Sequence, residues 1–301
     1  MKNEEKRIKG EKAMEVEISE RYINPYTDFG FKKLFGSELN KDLLINFLNA
    51  LFHDKPEITD LTYMNTEHLG EGIVDRKAVF DVYCCLADGS RIIVEMQKAE
   101  QQHFKDRSIY YSTYPIREQA PKGPWDYHLE DVYTVGVLNF TFPDGDSDDS
   151  MIHEIKLKDV ADNHVFYDKL TFVYLKMPKF NKKEEELETM FDKWMFALSN
   201  LARLLERPKA LQERIFARLF EQAEIAHFTP EERNEYVASK KEYWDAYSIT
   251  KTSFDKGRAE GRAEGRAEEK LEIARNMKAK GYSISDISDM TGLTADEIAA
   301  L

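Results

Sequence analysis

The amino-acid sequence predicts an α/β fold in which one mixed central sheet is flanked by helices and followed by an α-helical C-terminal region. Two observations carry this prediction. Apolar residues recur first with the helical period, then in three strand-like runs, then in a helix and a further strand, which is the order of a layered α/β domain. Beyond residue 180 the period is helical almost throughout, to about residue 250. The 301 residues, 42% of them hydrophobic, suffice for one substantial core with a smaller unit appended.

The predicted elements of the core begin with one or two amphipathic helices over 28–53, which Thr27 or Asp28 is placed to cap. A helix over 106–120 follows the third strand, and an acidic, solvated loop over 142–150 follows the fourth. The strand-like runs are 58–65, 77–86, 91–98, 131–141, 152–158 and 169–177.

Changes in composition divide the chain into five segments. These are a charged tail (1–21), a core (22–180), a helical extension packed on the core (181–250), a repeat segment (251–270) and a small helical module (271–301). In the repeat segment the motif GRAE occurs three times. Glycine costs about 1 kcal/mol per position in a lone helix. The segment is therefore either a linker or a helix whose glycines let a second helix approach closely.

The last segment has helix-turn-helix-like spacing. Gly281 and Gly292 are placed to end helices, and Thr294 with Glu297 forms a capping box at the start of the final one. A DNA-reading helix offers Arg, Lys, Asn or Gln to the bases, whereas this one offers Asp296, Glu297 and alanines. We therefore interpret the module as a surface for docking or self-association, and DNA reading as the alternative.

Charge and cysteine content exclude few functions. The net charge of −13 disfavours a passive coat on nucleic acid but is compatible with an enzyme that meets DNA through one local basic patch. Cys84 and Cys85 are neighbours in a strand and point to opposite faces, so no disulfide is expected between them. Asp75 and Arg76 are predicted to form an ion pair. Without an apolar leader or a run of about 18 apolar residues, a cytoplasmic protein is expected.

The candidate site lies in FDVYCCLADGSRIIVEMQ, where Asp81 opens one strand and Glu95 and Gln97 close the next. If the turn has three residues, with Gly89 at its third position and a positive φ, Asp81 faces Glu95. The same register pairs Val79 with Gln97 and Tyr83 with Ile93. Its opposite face is wholly apolar, since it collects Phe80, Val82, Cys84, Ile92, Val94 and Met96.

A two-residue turn would give a different site. Asp81 would then face Met96, and Glu95 would lie on the opposite face from Asp81. The clean apolar face favours the three-residue turn. Two carboxylates that meet on a sheet repel each other, and Mg²⁺ or Mn²⁺ between them would relieve the repulsion. Carboxylate acid/base chemistry on sugars, and exposed acids without a function, remain open as alternatives at this point.

The hairpin and its surroundings resemble the Rpn family of recombination-promoting nucleases, also described as transposases, within the PD-(D/E)XK nuclease superfamily. An Asp, a hairpin and then Glu-x-Lys or Glu-x-Gln is the core signature of that superfamily. The resemblance covers about residues 22–200 and 270–301. It rests on the motifs DFGFKKLFG, DRKAVFDVYCCLADGSRIIVEMQ, HFKDRSIYYSTYPIREQ, G-x-W-D-Y, VYTVGVLNF and LKMPKF.

The resemblance implies a restriction-endonuclease-like core and a Mg²⁺- or Mn²⁺-dependent DNA endonuclease linked to recombination or mobile elements. Asp81 and Glu95 would be the metal ligands, and Gln97 the third catalytic residue, in the place where the superfamily more often has lysine. Arg107 and Tyr111 are candidate DNA contacts, and Asp28 is a candidate support for the metal. DNA and a second copy of the chain, bound through the C-terminal helices, are the expected partners.

The alternative function is a catalytically inactive nuclease fold that serves as a scaffold and assembles through the same C-terminal helices. A strand-transferring transposase in the strict sense is disfavoured, because the sequence offers no convincing third, widely separated acid.

Overall fold

The computed structural model describes residues 20–68, 78–99, 103–142 and 149–301. The predicted charged tail, except for its last two residues, lies outside these ranges. The predicted ion pair of Asp75 with Arg76 and most of the predicted acidic loop lie outside them as well.

A mixed six-stranded sheet forms the centre of the fold, with the strand order β1-β4-β5-β6-β8-β7. Strand β6 pairs in parallel with β5 and with β8, and the other neighbours pair antiparallel. Strands β2 and β3 form a separate two-stranded sheet. The strands are β1 (Leu61–Tyr63), β2 (Glu67–His68), β3 (Ala78–Val79), β4 (Val82–Leu86), β5 (Arg91–Gln97), β6 (Val132–Leu138), β7 (Ile152–Lys158) and β8 (Val165–Lys176). With helices on the sheet, the predicted fold class is confirmed.

The helices are α1 (Asp28–Phe35), α2 (Lys41–Leu51), α3 (Phe104–Arg117), α4 (Met190–Asn200), α5 (Arg214–Ala223), α6 (Pro230–Ala279), α7 (Ile284–Thr291) and α8 (Ala295–Ala299). Short 3₁₀ turns lie at Glu38–Asn40, Met177–Lys179, Glu184–Glu186, Leu201–Arg203 and Ile225–His227. In the described part of the chain, no helix has the length and apolar character that a membrane span requires.

Helix α6 decides between the two predictions for the GRAE repeat. It runs for 50 residues and includes the whole repeat, so the segment is helical. Within the described part of the chain, no neighbouring atom lies within 4 Å of where a Cβ would stand on Gly257, Gly261 or Gly265. The chain divides into two compact units, one ending at Ala246 and one from Tyr247 to Leu301.

The main core lies on one face of the sheet, where helices α1, α2, α4 and α5 cover the even-numbered residues of β5. Trp194 of α4 is fully buried there, with its ring centroid 5.8 Å from those of Phe35 and Phe47. Its indole N–H donates to Asn46 Oδ1 at 2.8 Å, which satisfies the one polar atom that this large side chain buries.

Helix α3 covers the other face of the sheet. A smaller cluster there joins two hairpin residues to a residue just ahead of β4 and to two tyrosines of α3: Tyr83, Ile93, Phe80, Tyr111 and Tyr114. Side chains alternate along a strand, so Glu95 and Gln97 lie on the same face as Ile93. The fold therefore positions both polar residues of β5 beneath α3.

The second unit has a small core of its own, built from Ala274, Ile287 and Ile298. Gly281 (φ +83°) and Gly292 (φ +71°) follow helix ends in the left-handed conformation, as predicted. Thr294 and Glu297 form the predicted capping box. The sequence of this module predicts three separate short helices, and for the first of them the prediction is wrong. That helix is the end of α6, because the GRAE repeat continues the helix into the module.

Candidate active site

The turn of the β4–β5 hairpin has three residues, as predicted. Leu86 and Ser90 flank it, with the Leu86 N–H donating to Ser90 O at 2.9 Å. Gly89 closes the turn with a φ of +92° and donates its N–H to Leu86 O at 3.0 Å. Such a φ is ordinary for glycine and strained for other residues. The resulting register pairs Tyr83 with Ile93, which confirms the predicted pairing along the hairpin.

The predicted pattern fails at the open end of the hairpin. Strand β4 begins at Val82, because the chain bends at Asp81 and the side-chain alternation breaks there. Phe80 consequently packs under α3, with its ring centroid 5.6 Å from that of Tyr83, rather than in the main core. Val79 pairs with Glu67 in the two-stranded sheet, so the predicted pairing of Val79 with Gln97 is wrong.

Asp81 and Glu95 nevertheless meet, and backbone groups hold them in place. The Asp81 N–H donates to Glu95 Oε1 at 3.3 Å, and the Met96 N–H donates to Asp81 Oδ2 at 2.7 Å. Gln97 Nε2 donates to Glu95 Oε2 at 3.1 Å. Glu95 and Gln97 are buried, with 7% and 6% of their surface exposed, while Asp81 is half-buried. The predicted three residues thus form one connected cluster.

The two carboxylates are electrostatically strained. Burial raises the pKa of Asp81 to about 6, against the opposing effect of the Met96 N–H bond. Burial, and next to it the charge of Asp81, raise the pKa of Glu95 well above its ordinary value. The protein groups around the pair therefore compensate only part of its negative charge.

Arg107, which the sequence offers as a candidate DNA contact, lies at the cluster. It comes from α3 and donates a hydrogen bond from Nη2 to Gln97 Oε1. Its guanidinium stands 5.7 Å from the ring centroid of Tyr111, and its charge lowers the pKa of Glu95. Tyr111 packs against Phe80, with ring centroids 5.2 Å apart, and is half-buried beside the site. Both candidate DNA contacts therefore line the α3 side of the cluster.

The other side of the cluster is supplied by α1. Thr27 caps this helix by accepting from the Gly30 N–H at 3.0 Å, so the capping role belongs to Thr27 and leaves the Asp28 side chain exposed. The charge of Asp28 contributes to the raised pKa of Asp81, which places Asp28 near the site. Asp28 forms an ion pair with Lys32 at 2.9 Å.

Lys32 is the residue at the site that the sequence does not single out. Its charge acts on both Asp81 and Glu95. Burial lowers the pKa of Lys32, but the ion pair with Asp28 and the charges of Asp81 and Glu95 outweigh burial and raise it. The available signal was the Asp28–Lys32 spacing of four residues, which puts both side chains on one face of a helix. That spacing does not tell which other element the face meets.

The residues of the cluster fit a hard divalent cation. Two carboxylates and an amide oxygen are the donor types that Mg²⁺ and Mn²⁺ prefer. Burial raises the pKa of both Asp81 and Glu95, and a bound cation would offset the cost of keeping the two carboxylates charged there.

A second acidic group in the described residues is of another kind. Asp159, Asp162 and His164 bring one ligand atom each within 4.8 Å of one another near the connection between β7 and β8. All three are exposed, and Asp162 Oδ1 already accepts from the His164 N–H at 3.1 Å. The sequence does not single out this group. The hydrogen bonds within this exposed group are those of an ordinary polar loop.

Two acids and a glutamine thus meet at the open end of one hairpin in a mixed α/β fold. The family model described as PD-(D/E)XK nuclease family transposase matches residues 25–253. The model described as Rpn/YhgA-like nuclease family, C-terminal HTH domain, matches residues 267–301. Comparison with the curated proteins and with the solved structures gives no match.

The first of these matches covers most of the chain, so the protein belongs to the PD-(D/E)XK nuclease family transposases. The resemblance to the Rpn family is confirmed. The match continues to residue 253, past residue 200 where the resemblance in the sequence motifs ends, and thus adds helix α5 and the first part of α6.

Proposed function

We propose that this protein is a divalent-metal-dependent DNA endonuclease that hydrolyses phosphodiester bonds and serves recombination or a mobile element. The observation that carries the proposal is the meeting of Asp81 and Glu95 at the open end of the hairpin. Membership in a nuclease family supports it. A nuclease of this kind, acting on the DNA of its own cell, would work in the cytoplasm.

Asp81 and Glu95 would hold Mg²⁺ or Mn²⁺. When bound, such an ion acidifies a coordinated water and neutralises charge on the phosphate. Gln97 orients Glu95 through its amide N–H and accepts from Arg107 through its amide oxygen. This fixes the side chain of Glu95 before substrate binds. A neutral amide cannot offset the charge of the phosphate, so Gln97 serves as a positioning group.

Arg107 and Tyr111 would contact the DNA backbone from the α3 side. The Arg107 guanidinium carries donors suited to phosphate oxygens, and stacking near Tyr111 limits its conformations. Asp28 would support the site from α1, where its charge already acts on Asp81.

The test is cleavage of supercoiled plasmid DNA in Mg²⁺ or Mn²⁺ by the wild-type protein and by Asp81→Ala. Nicked or linear products from the wild type alone would support the proposal, and a chelator should abolish them. Equal cleavage by both proteins would refute the site. Absence of cleavage together with absence of metal binding would favour the scaffold function instead.

We also propose that the chain self-associates through the unit from Tyr247 to Leu301. Every charged side chain of α7 and α8 is acidic and exposed: Asp286, Asp289, Asp296 and Glu297. Such a surface repels a phosphate backbone and suits docking to protein better than DNA reading. Light scattering on the full chain and on a chain ending at residue 246 tests this. If the full chain and the shortened chain had the same number of copies per particle, self-association through this unit would be refuted.

A further inference from the structure

The segment 251–270 of α6 is a helix that nothing covers in the described part of the chain. Every residue of this segment is exposed, including Phe254, of which 67% is accessible to solvent. A lone helix is marginally stable in water, because most helical stability in proteins comes from the packing of one face. The three glycines of the repeat lower that stability by about 1 kcal/mol each. The segment therefore lacks the packing contacts that usually stabilise a helix of this composition.

The charges of the repeat make the lone helix less stable still. Residues four positions apart are neighbours on a helix surface, where like charges repel. Glu260 forms an ion pair at 3.8 Å with Lys256, which precedes the repeat. The repeat itself places one sign of charge in each of two rows, an arginine row and a glutamate row: Arg258, Arg262 and Arg266, and Glu260, Glu264 and Glu268. Each row repels itself as long as the helix is alone.

The two rows border one face of the helix, on opposite sides of it. At 3.6 residues per turn, each glycine of the repeat has arginines about 60–100° to one side and glutamates about 60–100° to the other, with the alanines behind. Phe254 lies seven positions before Gly261, and Tyr247 lies seven before Phe254, so both extend the same face toward the N-terminus of the helix. We call this surface the glycine face: Tyr247, Phe254, Gly257, Gly261 and Gly265.

A second copy of the helix would pair the two rows only if it ran in the same direction. Two parallel helices related by a twofold axis bring the arginine row of each beside the glutamate row of the other. Two antiparallel helices would bring each row beside its own kind. Because Gly257, Gly261 and Gly265 have no side chains, the two backbones can approach closely. One arrangement thus covers Phe254 and turns both repelling rows into ion pairs.

We propose that the glycine face binds the same face of a second copy of this chain, in parallel and in register. The inference rests on the proposed self-association of the unit from Tyr247 to Leu301 and names the surface that carries it. The surface of α7 and α8 is a poor candidate for contact between two copies, since its charged side chains are all acidic. The glycine face is complementary to itself, because it carries the two signs of charge on separate sides.

Disulfide cross-linking of the full chain tests the direction of the two helices. Phe254→Cys and Glu268→Cys each introduce a thiol seven positions from Gly261, one before it and one after it. In a parallel pair each variant cross-links to itself, and a mixture of the two variants, made with different masses, gives no mixed dimer. In an antiparallel pair centred on Gly261, only the mixture would cross-link. The unaltered chain, with its own Cys84 and Cys85, is the control.

Reversal of one charge row tests the contact itself. One variant has acid on both sides of the glycine face and the other has base on both sides: Arg258→Glu, Arg262→Glu and Arg266→Glu, and Glu260→Arg, Glu264→Arg and Glu268→Arg. Each should raise the dissociation constant of the dimer about 100-fold in sedimentation analysis, and an equal mixture of the two should restore about the wild-type value. The matched control changes the alanines behind the face and should alter the dissociation constant by less than about twofold: Ala259→Gln, Ala263→Gln and Ala267→Gln.

A cross-link in the mixture alone would overturn the inference and leave self-association intact, and so would an unchanged dissociation constant in both charge variants. A chain that is monomeric at every concentration would overturn the proposed self-association and the inference together. If that monomer bound DNA and lost it on reversal of the arginine row, the row would belong to a DNA contact instead. None of these measurements depends on cleavage, so failure of the endonuclease proposal would be distinguishable from failure of this one.

Discussion

Both ends of the β4–β5 hairpin carry carboxylates, but the carboxylate at the turn is exposed and those at the open end are largely removed from solvent. At the turn end, Asp88 is exposed, accepts from the Ser90 N–H at 2.9 Å and has no second carboxylate opposite it in the hairpin. At the open end, Asp81 and Glu95 share one cluster, in which burial raises the pKa of both and the charge of Asp81 raises the pKa of Glu95 further. The turn end uses an acid to satisfy the backbone. The open end holds two acids in a place that is unfavourable without a cation.

The contrast indicates that the open end of the hairpin, and not its turn, carries the candidate functional site. Local hydrogen bonds account for the turn completely, whereas the open end draws on α1 and α3 for its charges through Lys32 and Arg107. A carboxylate in the turn stabilises the local structure. The carboxylates at the open end do not stabilise the folded chain, and buried acids with a raised pKa of this kind are typical of a functional site.

The largest expected effect comes from removing one carboxylate at each end. Glu95→Gln should lower kcat/KM for plasmid cleavage about 1,000-fold or more, because it removes a charged metal ligand. Asp88→Asn keeps the acceptor for Ser90 and should change kcat/KM by less than about twofold. Initial rates of nicking in Mg²⁺ measure both. Similar losses in the two variants would remove the functional distinction between the ends.

The next effect is on stability and depends on pH. Burial raises the pKa of Asp81 to about 6 from an ordinary value of 3.8, so the folded protein binds this proton more tightly than the unfolded chain does. The free energy of unfolding of the metal-free protein should therefore fall as the pH rises from about 4 to about 6. Glu95, whose pKa is raised as well, should extend the fall to higher pH.

Asp81→Asn removes the contribution of Asp81 and is the matched variant for this effect. As the pH rises from 4 to 7, the free energy of unfolding of Asp81→Asn should increase by about 1–3 kcal/mol relative to that of the wild type. Urea denaturation in a chelator, at several pH values, gives the two curves. Parallel curves would mean that the carboxylate pair is not strained.

The smallest effect concerns the turn itself. Gly89→Ala should lower the free energy of unfolding by about 1–2 kcal/mol, since alanine is strained at a φ of +92°. Its Cβ would also lie 3.0 Å from Glu130 Cγ. Gly123 has a φ of +110°, and none of the described atoms lies within 4 Å of where its Cβ would stand, so Gly123→Ala isolates the backbone strain and should lower the free energy of unfolding by less. An equal or larger loss in Gly123→Ala would show that the contact with Glu130 is unimportant.

The turn end was predictable because it depends on neighbouring residues. Gly89 and the alternation of Val82, Cys84, Ile92 and Val94 select one register between them, and the register determines that Asp81 meets Glu95. The cap at Thr27 was predictable for the same reason. Each of these features depends on an interaction within one element or one hairpin.

The open end was predictable only in part. The alternation in the sequence places Phe80 on the face of Val82, but the bend at Asp81 turns Phe80 beneath α3. A backbone hydrogen bond from the Phe80 N–H to Thr66 O accompanies this bend. Lys32 lies 49 positions before Asp81 in the chain. The helical periodicity of the residues in α1 does not show which strand the helix approaches. Side chains that meet across elements are determined by tertiary packing, which a single sequence does not contain.

The central claim is that Asp81 and Glu95 jointly hold one divalent cation, and titration calorimetry with Mn²⁺ tests it most directly. Wild type and Asp88→Asn should each bind at one site with the same affinity. Asp81→Asn and Glu95→Gln should each lose that site, because either substitution removes one of the two charged ligands. Binding by Asp81→Asn or Glu95→Gln with the affinity of the wild type would contradict the claim.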